Sequence, residues 1–234
     1  MISIILLVYD EELTIQDDIE KISNTILSKE NNCELIVVED YSNESMKKKL
    51  KSLHVKYNFK LIHNSIRSGY KNSLIQGIES CNNENIFLME TGGKYDFKFY
   101  WDFKKILIDK KADIVSAHRT PRYDSITRRI LTFSMNLFVR FFSNTKYRDL
   151  DSGFKIYKKE ILANILENKL IFRNFFNVEI LLKSHYLGKK IIEIEIPYFQ
   201  RIGSSKQFNF KNTIIKVIYL IYDLKKLFKE IRPN

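Results

Sequence analysis

The sequence is poor in the residues that build special-purpose scaffolds. It has two cysteines, seven glycines, three prolines and one tryptophan in 234 residues. Cys33 and Cys81 are too few for a disulfide framework or a thiolate metal site, so a reducing cytoplasm is the simplest compartment. No apolar run reaches the ~20 residues that a membrane-spanning helix needs. The opening I-S-I-I-L-L-V is short and lacks a basic flank, which predicts a first strand rather than a secretory leader. There is no G-K-[ST] phosphate loop, and R-S-G-Y-K-N-S-L-I-Q-G lacks the glycine spacing of a dinucleotide fingerprint. No Ser–His–Asp or Cys–His pairing suggests itself. His54, His63, His118 and His185 have no metal-ligand spacing, so surface or structural roles are expected of them. With no repeat, low-complexity linker or composition break, residues 1–234 are expected to form a single domain.

What is present is a globular composition, 44% hydrophobic and 13% aromatic, sufficient for a sizeable core. The formal charge of +11 and a pI near 9.4 point to anionic partners: nucleotides, a phospholipid surface or nucleic acid. The basic residues are dispersed and no recognition motif is visible, so nucleic acid ranks last and is not expected as a partner. Apolar runs of strand length occur at 2–8, 35–38, 60–63, 86–89 and 113–117, and a period-two strand at 191–197. Helical patterns separate them, and Thr14 with Asp17 resembles a capping box. This alternation predicts βαβ units and a mostly parallel, Rossmann-like sheet flanked by helices. Between Ser125 and Ser143, Ile130, Phe133, Leu137, Phe138, Phe141 and Phe142 form a wide apolar stripe beside Arg128, Arg129 and Arg140. Two readings stay open: a helix packed on the core, or one lying against a membrane or lipid chain. Thr213 to Ile231 reads as a closing amphipathic helix.

The chemistry is concentrated in I-F-L-M-E-T-G-G-K-Y-D, Ile86 to Asp96. A buried strand there ends in Glu90, and Thr91-Gly92-Gly93 turns the chain. In open α/β sheets ligands bind beyond the carboxyl ends of the strands. An ordinary strand–turn with a solvated Glu is the alternative. Asp10-Glu11-Glu12 and Glu39-Asp40 follow two other strands, so three acidic tips fall on one edge. They would repel one another unless a cation, a sugar hydroxyl or a base amino group shares the site. Arg67, Lys71, Lys94, Arg119, Arg128, Arg129, Arg201 and Lys206 are candidates to hold a diphosphate. The run Lys47 to Lys51 is expected to be an exposed helix face.

Taken in order, these segments resemble the family 2 glycosyltransferases, and most closely the dolichyl-phosphate mannosyltransferase-like branch. L-L-V-Y-D-E-E-L-T-I resembles the opening P-x-Y-N-E-x nucleotide motif, with Tyr9 and Glu11 matching and Leu7 in place of Pro. I-V-V-E-D-Y-S-N-E-S is similar to V-V-D-D-G-S-x-D, with Asp40 matching. R-S-G-Y-K-N-S-L-I-Q-G-I is similar to N-x-G-x-G-x-A-x-x-x-G-I and keeps Gly69 and Gly77. I-F-L-M-E-T-G-G-K-Y-D falls where the family has its D-x-D metal motif. A-D-I-V-S-A-H-R resembles the segment ending in a phosphate-binding Arg, here Arg119, and R-R-I-L-T-F-S-M-N-L-F-V-R the acceptor-side helix. R-D-L-D-S-G-F-K-I-Y resembles D-x-x-S-G-F-R-x-Y with Lys155 for Arg. F-N-V-E-I-L-L-K is similar to the F-x-x-E-L-L helix, and R-I-G-S-S-K to the late R-x-G-x-S-K loop.

The resemblance implies an A-type glycosyltransferase fold with a nucleotide-sugar half over 1–118, an acceptor-side half over 119–212 and a C-terminal helix over 213–234. It implies an inverting transferase that uses a nucleotide-diphosphate sugar. The acceptor is expected to be a polyprenyl or dolichyl phosphate, at the cytoplasmic face of a membrane that the protein touches peripherally. Tyr9, Glu11, Asp40, Arg67 and Gly69 are then expected at the nucleotide, and Glu90, Lys94 and Arg119 at the reaction centre. Arg128, Arg129, Ser152, Arg201, Ser205 and Lys206 are expected at the donor and acceptor phosphates. Glu90 alone remains of the metal motif, with Gly92 at the second position. A divalent cation, Mg or Mn, is thus weakly held or dispensable, with Lys94 offsetting the diphosphate charge. An impaired relative that binds without turnover is the alternative. A sugar hydroxyl as acceptor is another, and it would need a base, for which Glu90 and Asp151 are the candidates.

Overall fold

The structure, a computed structural model, describes residues 1–203 and 210–231. In its sheet β1 (Ile2–Val8) is flanked by β2 (Cys33–Glu39) and the central β4 (Asn85–Glu90), with β3 (Lys60–His63) outside β2. All four run parallel, in the register Leu7↔Val38 and Leu7↔Glu90 at the functional end. Both faces of β1 are covered, which explains why it reads as a continuous apolar run. Ile2, Ile4, Leu6 and Val8 face one core, and Ile5 faces the other with Ile36 and Val38.

Helix α1 (Ile15–Ile22), widening into a π turn over Ser23–Leu27, and α2 (Glu44–Tyr57) cover the first face; α3 (Gly69–Glu79) covers the second. The capping expectation for α1 fails, because the Thr14 hydroxyl makes no cap hydrogen bond. Asn43 does cap α2, accepting from the Met46 amide at 2.8 Å.

After α4 (Tyr100–Asp109), strand β5 (Ile114–Arg122) runs five residues beyond the stretch its apolar pattern marks. Helix α5 (Ile126–Ser143) follows, then β6 (Lys155–Lys158), α6 (Lys159–Glu167), α7 (Phe176–Tyr186), β7 (Ile191–Tyr198) and α8 (Phe210–Ile231). Among the described residues the sheet order is β3-β2-β1-β4-β6-β5-β7. Only β6 is antiparallel to its neighbours, so the other six strands end on one edge.

The core-packed reading of the α5 stripe holds for Phe138, which is partly buried against the core, and fails for the rest of it. Met135 and Val139 are buried, but Ile126, Ile130, Phe133, Leu137, Phe141 and Phe142 are all at least half exposed.

Candidate functional site

At the carboxyl edge of the sheet lies a cavity of about 600 Å³. Asp40, which follows β2, Glu90, which ends β4, and Arg119, toward the end of β5, all line it. So do Tyr9, Glu11, Arg67, Gly69, Lys94, Arg128 and Arg201.

On the β1–β3 side the Arg67 guanidinium lies 3.9 Å from the centre of the Tyr9 ring and donates to its hydroxyl at 3.2 Å. Together they form a flat, cationic shelf. Asp40 accepts from the Ser68 amide at 2.7 Å, the Ser68 hydroxyl at 2.8 Å, Asn64 at 3.1 Å and the Gly69 amide at 2.9 Å. Burial works against its charge, but these donors outweigh it and hold the carboxyl below its usual range. Asp40 therefore fixes the loop that opens α3 at the cavity wall. Its neighbour Glu39 is fully buried, paired with His63 at 2.9 Å and with the Ser42 amide.

Below the shelf, the turn after β4 is clasped from two sides. Asp18, buried in α1, accepts from the Gly92 amide at 2.8 Å. Backbone bonds from Ile202 to the Gly92 carbonyl (3.1 Å) and from Phe199 to the Lys94 carbonyl (2.9 Å) tie the segment after β7 to the same turn. Gly92 has φ +98°, and a Cβ there would lie 3.2 Å from the Arg201 Cγ and 3.3 Å from the Lys94 Cε. Lys94 reaches Glu90 at 3.0 Å, and Arg201 pairs with Glu11. Burial raises the Glu11 carboxyl, and the Arg201 and Lys94 charges offset this only in part. Glu90 goes the other way: despite burial, Lys94 and Arg119 hold it below the usual range.

The floor comes from the chain before β6. Arg119 is buried and lays its guanidinium on Asp149, with Nε at 2.6 Å and Nη2 at 2.7 Å. Its Nε and Nη2 are thus committed inside the protein, and Nη1 is the guanidinium nitrogen outside this pair of bonds. Gly153 lies so close to Glu90 that a Cβ would sit 2.1 Å from Oε1. Asp151 lines the cavity; burial, with Glu90 and Asp149 nearby, pushes its carboxyl up to about 6. Beneath it the fully buried Lys155 ammonium donates to the Leu150 carbonyl at 2.8 Å, and burial lowers it to about 8.

Several expected residues lie elsewhere. Ser152 is fully buried and does not line the cavity; its hydroxyl accepts from the Phe154 amide at 3.3 Å. Arg129 opens instead on a second groove of about 680 Å³, which shares Arg119 and is bordered by Ile126, Ile130 and Phe133. Lys71 turns away to the Leu170 carbonyl at 3.1 Å. Ser205 and Lys206 lie outside the described residues. Conversely, Asp18, Asp149 and the cavity-lining run Asn174 to Asn177 have no assigned role in the sequence reading. The segment leading into that run is held by Glu179, which accepts from the Ile171 and Phe172 amides at 2.6 and 2.7 Å. Its buried carboxylate within an apolar helix was the available signal.

The sequence model of Glycosyl transferase family 2 matches residues 3–166. A dolichyl-phosphate beta-glucosyltransferase of Dictyostelium discoideum is 26% identical over 221 residues, spanning 87% of this chain and 68% of its own. A Trichomonas vaginalis protein of the same description is 22% identical over 244 residues, spanning 97% and 72%. Among solved structures, glucosyl-3-phosphoglycerate synthase from Mycobacterium tuberculosis, in complex with Mn2+, UDP and glucosyl-3-phosphoglycerate, superposes with a TM-score of 0.69 at 15% identity, over 97% of this chain and 79% of that one. The mannosyltransferase PcManGT from Pyrobaculum calidifontis, with GDP-Man and Mn2+, gives 0.67 at 12% identity, over 98% and 67%.

Proposed function

Because the chain belongs to glycosyl transferase family 2 and has the A-type glycosyltransferase fold, and is therefore a glycosyltransferase, we propose that it moves a sugar from a nucleotide-diphosphate donor, with inversion, to a polyprenyl phosphate at a membrane surface. The observation that carries this reading is the meeting of two features. The cavity holds carboxylates and cations together, and it opens beside α5, whose exposed stripe is apolar and flanked by arginines. The two dolichyl-phosphate transferases among its relatives support the same acceptor class.

In this reading the Tyr9–Arg67 shelf carries the nucleoside, with Glu11 and the Asp40-held loop around it. Lys94, Arg201 and the Nη1 edge of Arg119 face the diphosphate. An acceptor oxygen attacks the anomeric carbon in line, the bond to the diphosphate breaks, and the nucleoside diphosphate leaves. A lipid phosphate, with a second pKa near ~6, arrives largely ionised and needs no strong base. The apolar face of α5 then rests in the headgroup region at the cytoplasmic side, peripheral to the bilayer. No described helix is long and apolar enough to cross a membrane.

The Mn2+ seen with the two structural neighbours has no matching donor set here. Glu90 is already paired to Lys94, and the side-chain direction at position 92 is filled by Arg201 and Lys94. Among the described residues, no group of three His, Cys, Asp or Glu side chains could hold a metal ion.

A second reading has its own support. Asp151, raised to about 6, suits a general base, as transfer to a sugar hydroxyl would require. The deciding experiment incubates the purified chain with labelled UDP-glucose or GDP-mannose and either a polyprenyl phosphate in mixed micelles or free sugar acceptors. Solvent-extractable labelled glycolipid is the expected product. Label found only in water-soluble glycosides would favour the hydroxyl acceptor, and donor binding without turnover in any arm would overturn the transferase assignment.

A further inference from the structure

We infer that Lys94 and Arg201 take the place of the divalent cation, so that this chain binds and discharges the donor diphosphate with no metal. The inference rests on the donor reading above and deepens it.

Its first support is steric. Gly92 occupies the second position of the metal motif with φ +98°, a region that disfavours any side chain but glycine's. The volume a carboxylate would use is taken by the aliphatic stems of Arg201 and Lys94. The backbone that carries these stems is anchored: Phe199 and Ile202, on either side of Arg201, are hydrogen bonded to the backbone of residues 94 and 92. The space beside position 92 is thus closed by side chains whose backbone is tied to the same turn.

The second support is a charge count. Two carboxylates carrying a divalent ion sum to zero. Here Glu90 and Lys94, paired at 3.0 Å, also sum to zero, and the Arg201–Glu11 pair beside them adds no net charge. Adding an ion to this set would place two further positive charges against an ammonium and a guanidinium already in contact with both carboxylates. That repulsion disfavours metal entry. The third support is chemical. The leaving diphosphate needs compensation of the charge that develops on its oxygens, and aimed cationic donors supply it. Lys94 has a flexible stem whose ammonium can move from Glu90 to a phosphate oxygen. Arg201 can keep Glu11 on one edge of its fork and offer the other. When the anomeric C–O bond breaks, the electron pair stays on the diphosphate, and these two groups hold it.

The test is calorimetric titration of UDP-glucose and GDP-mannose into the full chain, stripped with EDTA, with and without added Mn2+. We expect the affinity for the accepted donor to agree within about threefold between the two buffers. Lys94→Gln and Arg201→Gln should each weaken it by about 10- to 100-fold in EDTA, the loss of one hydrogen bond to a charged group. Lys94→Arg should recover most of it, which separates loss of charge from loss of fold. Binding that appears only with Mn2+ would overturn the inference while leaving the donor reading intact, as would undiminished affinity in folded Lys94→Gln. No nucleotide binding in either buffer would overturn both.

Discussion

Asp151 stands in a setting that favours its neutral form, because burial and two neighbouring carboxylates act against its charge. A carboxyl whose folded pKa exceeds its unfolded one lowers stability wherever both states are ionised. That penalty is fully present above about pH 6 and fades as pH falls from there toward the ordinary aspartate value. Asp151→Asn should therefore stabilise the protein at pH 8 by about 1–2 kcal/mol, with the gain shrinking toward pH 4, as urea unfolding at the two pH values will read. The same variant separates the acceptor classes. If the acid limb of the pH–rate profile persists in it, the ionising group belongs to a phosphate acceptor; if the limb vanishes with most of the activity, Asp151 is the base. Gly153 is the second sensitive point. Gly153→Ala forces Glu90 off Lys94, so kcat/KM should fall on the order of 100-fold, with a stability loss of about 1–3 kcal/mol from overpacking. Wild-type kinetics in that variant would remove Glu90 from the reaction centre. Single residues are also where sequence reading succeeds and fails most visibly. Glu90, Lys94 and Asp40 are legible because they follow apolar strands whose ends share an edge. Asp149 is marked only as the first residue of the D-x-x-S-G-F match and Asp18 not at all, and the task of each is hidden because the partners Arg119 and Gly92 are 30 and 74 residues away in sequence.

Among the elements, the parallel strands are legible because burial on both faces leaves an uninterrupted apolar run. Strand β6 is invisible for the converse reason. Its four residues, K-I-Y-K, are too few to show a period, and they are strand because Leu88 and Ser116 pair with Lys155 from either side. Helix α5 shows the limit of periodicity: an apolar stripe is the same pattern whether protein or lipid covers it, and only the packed structure leaves it bare. Replacing Ile130, Phe133 and Phe141 together by Ser should change unfolding free energy by no more than about 0.5 kcal/mol. Met135→Ala, on the buried face, should cost about 2–3 kcal/mol. The triple variant should also lose cosedimentation with vesicles. Retained vesicle binding would move the membrane contact to another surface.

Over the whole molecule, charge sets the reach of the site. A formal +11 spread over 234 residues attracts anionic surfaces and nucleotides from a distance that salt shortens. Partition onto vesicles rich in anionic lipid should fall by about tenfold or more between ~0.05 and ~0.5 M salt, with little change for neutral vesicles, measured by cosedimentation. A salt-independent partition would assign the contact to apolar burial alone. The reversed direction of β6 has a bearing at this scale too. Because that strand enters the sheet from the reactive edge, the stretch before it, residues 144–154, reaches Glu90 and Arg119 as an approach rather than an exit. Its length is therefore uncoupled from the register of β1 through β4. Descendants of this chain could lengthen or trim that stretch and meet new acceptors, generation after generation, while the grip on the nucleotide stayed as it was.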